Sequence, residues 1–257
     1  MTEEEKERPS IPGAILISAL LGVGALLLGT GVSGLLVSGV RTLAVIGELS
    51  GAVTTALLRI ANSVGVQLVG IVIVSVLFLW YTGRGFGYVK VRSPTKEDTF
   101  LIILLPFLQI VISLLVAIIG IALGTESAGH SAVSSDMHVY VAIAGIVTSV
   151  LIVGPAEELL YRGVIQEYLK EAFGNFPEKY GVGVSIGVTS FLFAIIHLPA
   201  YGGFSQGIIP VLLSMITIFA LSTVLGLMYE YTDNLIVPAL GHGLYNALVF
   251  SAVFLGV

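Results

Sequence analysis

Residues 139–169 read VYVAIAGIVTSVLIVGPAEELLYRGVIQEYL. No charged side chain occurs from Val139 through Ala156, and then Glu157, Glu158 and Arg162 arrive together inside the same apolar segment. An α-helix rises about 1.5 Å per residue, so about 20 predominantly apolar residues cross the hydrocarbon core of a bilayer. The run is long enough to span, and ionisable groups within a span are costly unless paired or hydrated. The segment therefore predicts a transmembrane helix that carries polar function in its interior.

Outward from it, further apolar runs lie at about 11–37, 64–82, 99–123, 182–198, 207–229 and 235–256. The whole chain of 257 residues is 56% hydrophobic and only 11% charged, against about a quarter charged in a soluble domain. The expected fold is all-α, a polytopic transmembrane helical bundle of seven or eight spans. The acid-rich opening MTEEEKERPS lacks the basic start of a removable leader, so residues 1–10 read as a polar N-terminal tail and 11–257 as a single membrane domain. Nothing basic enough for nucleic acid is present. Without cysteine the chain has no disulfide, thiolate ligand or sulfur nucleophile.

The stretch 38–62 decides between seven spans and eight. Arg41, Glu48, Thr55, Arg59 and Asn62 recur at helical spacings, so they read as one polar face. That helix could lie at the interface or span with its stripe turned inward; the eighth span is favoured. Arg41, Glu48 and Arg59 read as orienting groups. Arg84, Lys90, Arg92 and Lys96 place the 83–98 loop in the cytoplasm, and the loop 124–138, without Lys or Arg, outside. Its Glu126, His130, Asp136 and His138 read as solvated.

The remaining buried polar groups sit on few helices. Glu158 and Arg162 are four apart and share a face, as an ion pair requires. Glu157 is turned about 100° away and has no cation on its own helix, which suits a carboxylate to acid–base work. Pro155, just before, frees a backbone carbonyl and invites a kink. His197 lies one turn after Phe193, and His242 one turn before Asn246, with Gly241 and Gly243 allowing close approach. Counting from the cytoplasmic ends, Glu157 lies about 20 Å, His197 about 22 Å and His242 about 12 Å along their helices. All three fall in the middle of the membrane, biased to the inner side.

Three motifs in order, EELLYRG at 157–163, FAIIH at 193–197 and HGLYN at 242–246, resemble the EExxxR, FxxxH and HxxxN/D motifs of the CPBP family. This is the CAAX-protease and bacteriocin-processing (ABI) family, which includes the type II CAAX prenyl endopeptidases. The resemblance covers about 139–250 and implies an intramembrane endopeptidase. It implies that Glu157 and His197 activate a water, that His242 and Asn246 stabilise the oxyanion, and that Glu158, Arg162 and Phe193 support them. It also implies a membrane-associated protein or peptide substrate, a prenylated CAAX tail among the candidates, and an integral protein of the plasma membrane with its site towards the cytoplasm.

Members of the family are often labelled metalloproteases. A zinc ion here would draw on Glu157, His197 and His242, but there is no HExxH and the donors come from three helices, so no cofactor is the favoured reading. Two other functions compete. One is a non-catalytic scaffold or bacteriocin-immunity protein. The other is a proton-coupled transporter using Glu157 and the histidines as a relay, which no internal repeat supports.

Overall fold

A computed structural model describes residues 8–131 and 137–256; Asp136 and the first seven residues of the tail lie outside them. Among the described residues there is no strand, and seven helices are long and apolar enough to cross a membrane. We number them α1 (Ile11–Ile46), α2 (Gly51–Tyr81), α3 (Lys96–Ala122), α4 (Val139–Ala172), α5 (Glu178–Ile196), α6 (Ile208–Thr232) and α7 (Ile236–Leu255). The protein is an integral membrane protein. Exposed Leu16, Leu27, Leu35 and Trp80 face outward, and the polar side chains turn in, the arrangement lipid demands.

The favoured eighth span does not form. The chain breaks between α1 and α2, where Glu48 takes a left-handed conformation (φ 48°) and Ser50 caps α2 by accepting from the Val53 amide. Arg41 ends up on α1, Glu48 in the turn, and Thr55, Arg59 and Asn62 on α2. A positive φ on a non-glycine residue and a serine cap mark a stop, whereas an α-period count carries straight through one. Thr95 stops and starts the chain in the same way before α3, in a reciprocal cap with Asp98.

Glycines set how closely the helices approach. A Cβ on Gly65 would stand 2.5–2.6 Å from the backbone of Ser33, and one on Gly29 would stand 2.7 Å from Val66 Cα, so α1 and α2 touch backbone to backbone. A Cβ on Gly243 would lie 2.7 Å from the Ser149 carbonyl, and one on Gly154 2.7 Å from the Gly243 nitrogen. These contacts bring α7 against the middle of α4 and deliver His242 to the two glutamates. Three segments widen from α to π geometry, Val64–Val72 in α2 and Ser149–Val153 and Leu159–Gln166 in α4. Such widenings commonly accompany functional sites. Pro155 follows the second of them and sits in the first turn of Gly154–Glu158, where its missing N–H costs least.

Candidate active site

Glu158 is fully buried and both its oxygens are taken. Oε2 accepts from Arg162 Nε at 2.8 Å, and Oε1 lies 2.9 Å from His242 Nδ1. Arg162, also fully buried, goes on to donate to Ser222 Oγ at 2.6 Å and to Gln166 Oε1 at 3.4 Å. Gln166 donates to Glu230, which is ion-paired with Lys170 at 2.7 Å. A buried pair with each guanidinium nitrogen engaged avoids the penalty of an uncompensated charge.

Glu157, the residue before it, has quite different neighbours. Its Oε1 accepts from Gln67 Nε2 of α2 at 2.9 Å. Its Oε2 is faced by two imidazoles, His197 Nε2 at 3.9 Å and His242 Nε2 at 3.8 Å. Those gaps are too long for direct hydrogen bonds and are the span that one bridging water covers. His197 Nδ1 lies 2.7 Å from the Phe193 carbonyl oxygen, so that nitrogen carries the proton. His242 Nδ1 is likewise engaged by Glu158. Each ring therefore turns its Nε2 towards Glu157.

Phe193 fixes the rings from beside them. It meets Tyr161 edge-on at 4.7 Å and lies 4.4 Å from His197 and 5.9 Å from His242 between centroids. Asn246, one turn beyond His242, lines the same cavity as Glu157, Gln67 and both histidines, a space of about 580 Å³. Glu157, Phe193, His197, His242 and Asn246 thus line one cavity, and Glu158 and Arg162 stand buried behind it.

Some surroundings differ from the sequence expectation. His130 is not a solvated loop residue. It packs edge-on against Tyr201 at 5.0 Å and lines the cavity, and burial, with the nearby His197 and Arg59 adding to it, pulls its pKa down to about 4. Arg59 also lines the cavity, its guanidinium 4.6 Å above the Phe250 ring. His138 is exposed and caps α4 by accepting from the Tyr140 amide, and Glu126 is exposed.

Gln67 escaped the sequence reading for a geometrical reason. It follows Asn62 by five residues, out of phase on the α-helical period but in phase where the helix widens at Val64. Ser222 and Gln166 carried no signal beyond being polar residues in apolar runs.

A zinc ion held by Glu157, His197 and His242 would put its donors about 3.4 Å apart at tetrahedral distances of ~2.0–2.1 Å. The observed Glu–His spacings are wider, and among the described residues no three His, Asp or Glu side chains are grouped to hold a metal.

Residues 139–248 match the family model described as Type II CAAX prenyl endopeptidase Rce1-like. The uncharacterized protein YpbD of Bacillus subtilis (strain 168) is 30% identical over 106 residues, 41% of this chain. The match spans 44% of that relative's length, and no solved structure matches the chain. The motif residues Glu157, Glu158, Arg162, Phe193, His197, His242 and Asn246 all fall inside the matched stretch, whereas Gln67, Arg59 and His130 lie before it, and that stretch is similar to the Rce1-like type II CAAX prenyl endopeptidases.

Proposed function

We propose that the protein is an intramembrane endopeptidase that hydrolyses a peptide bond in a membrane-associated protein or peptide. The observation that carries this reading is Glu157 Oε2 facing the Nε2 atoms of two histidines, each just under 4 Å away, at the closed end of a cavity. A water between them loses its proton to Glu157 as its oxygen adds to the scissile carbonyl, and His197 orients that water through Nε2. The negative charge that develops on the carbonyl oxygen is met by the Asn246 amide and by His242, which donates from Nε2 when protonated while Glu158 holds its Nδ1–H. Glu157 then returns the proton to the departing amine, and carboxylic acid and amine are the two products. Glu158 and Arg162 hold His242 in place and do not touch the substrate.

This reading needs no metal. In proteoliposomes, membrane peptides should be cut by the natural chain and left whole by Glu157→Gln, with new termini read by mass spectrometry. A chelator should leave cutting intact. Loss of activity on chelation with recovery on adding Zn²⁺ would overturn the metal-free route. Cleavage that survives Glu157→Gln would return the protein to a scaffold or immunity role. Proton-coupled solute flux dependent on Glu157 would favour the transporter instead.

A further inference from the structure

On α2, α4 and α7 the walls of the cavity lie on one side of Glu157, while on α6 they run from Thr217 to Leu225 and so also pass Ser222, the partner of Arg162. On α2 they run from Thr55 down to Gln67, starting near the helix's first residues. On α4 they run from Val141 to Glu157 and stop there, and on α7 they begin at His242 and continue to Phe250. His130, Ser131 and Tyr201, from the two loops at that end of the bundle, join the lining. These loops are tied together, the Ser131 amide donating to the Ala200 carbonyl at 2.9 Å and the Ala128 amide to Pro210 at 3.1 Å. Thr55, Asn62 and Ser131 are exposed there.

The opposite direction is closed. Below Glu157 come Glu158, Arg162 and Gln166, each with no exposed surface, and below them the Glu230–Lys170 and Lys90–Glu167 pairs. That closed end also gathers most of the cations, although Arg41 and Arg59 lie towards the mouth. Arg84, Lys90, Arg92 and Lys96 flank the α2–α3 loop, Lys170 and Lys179 flank the α4–α5 turn, and Arg8 reaches that turn through Asn175 at 2.9 Å. The loops at the mouth, from 123 to 138 and from 197 to 207, hold no Lys or Arg. Lysine and arginine in short loops stay on the cytoplasmic side.

We infer that the cavity is loaded from the extracytoplasmic face, so that the substrate is a peptide segment presented at the outer half of the membrane, and not a lipid-modified tail arriving from the cytoplasm. The inference rests on the peptidase reading for the use of the cavity, but its test reads access without cleavage, so the two can fail separately. The natural chain has no cysteine, which makes single introduced thiols unambiguous. Ser131→Cys stands at the mouth, Thr217→Cys within the cavity wall and Ser93→Cys in the basic loop, and none is part of the proposed machinery.

Cells expressing each full-length variant would be treated with a small membrane-impermeant thiol reagent, intact and after permeabilisation. The expected result is that Ser131→Cys and Thr217→Cys react in intact cells to the level reached after permeabilisation, while Ser93→Cys reacts only after it. Reaction of Ser93→Cys in intact cells, with Ser131→Cys silent until permeabilisation, overturns the inference. So does protection of Thr217→Cys in intact cells while the Ser131 thiol reacts, because the mouth would then not lead to the cavity. Peptidase activity with the reversed labelling pattern would keep the enzyme and discard the outer-face substrate.

Discussion

Glu158 spends both carboxylate oxygens on fixed partners at 2.8 and 2.9 Å, whereas Glu157 has one oxygen on an amide and turns the other to two imidazoles that stop short of it. The first arrangement is closed, since adding or removing a proton would break an existing contact. The second is open at the distance a reacting water occupies. One residue of offset on α4 therefore separates a carboxylate that holds the site together from one able to do chemistry in it. On the proposed function, burial alone does not mark the reactive group; unfinished hydrogen bonding in a buried place does.

The contrast can be broken in four ways. Glu157→Gln should lower turnover by about a thousandfold or more with the fold intact, because general acid–base groups contribute on the order of 10²–10⁴. If Glu158→Gln alone gave that pattern, with stability kept, the assignment of the pair would be reversed. Arg162→Met should strand the buried Glu158 charge and cost about 3–5 kcal/mol of stability, measured by denaturant unfolding in detergent micelles. A variant as stable as the natural chain would show that Glu158 needs no counter-charge.

Gln67→Leu removes the donor that orients Glu157 and should slow turnover about tenfold, the worth of one ordinary hydrogen bond of ~1–1.5 kcal/mol. A positioning role predicts a shifted pH profile of kcat and partial rescue by Gln67→Asn, which loss of packing alone would not give. The smallest effect concerns His130. Its folded pKa of about 4 lies below the ordinary 6.5, so the unfolded chain binds the extra proton between those values. Stability should be complete above about pH 6.5 and fall by on the order of 1 kcal/mol as pH drops towards 4. Thermal melts of His130→Gln should lose that slope; an unchanged slope would assign it to another group.

How much of this could be read from residues alone follows from geometry. Long apolar runs announce spans because nothing else satisfies a backbone in lipid, so the bundle was legible. The motif residues on α4, α5 and α7 were legible as well, because charged and imidazole groups stand out against Val, Leu and Ile. The turn at Glu48 was not, because an α-period count cannot see a residue in left-handed conformation. Gln67 was hidden by a π segment that changes the period on which the count depends. His130 looked like a loop residue because the fold-back of its loop against Tyr201 and Pro210 is a long-range event with no local signature. The direction of the cavity was equally invisible, since depth along single helices places Glu157, His197 and His242 in one layer without saying on which side of that layer the walls continue.

The bare contact between Gly154 and Gly243 has a further consequence. Three residues along α4 and one along α7 from the proposed chemistry, two hydrogen atoms stand where any other residue would put carbon. An alanine at either position would act as a shim, prising α7 off α4 and widening the gap between Glu157 and His242 without altering one reactive group. The calibration of the proposed reaction is thus stored at places that perform none of it, and a search confined to acids, bases and amides would pass over the two positions that keep them in register.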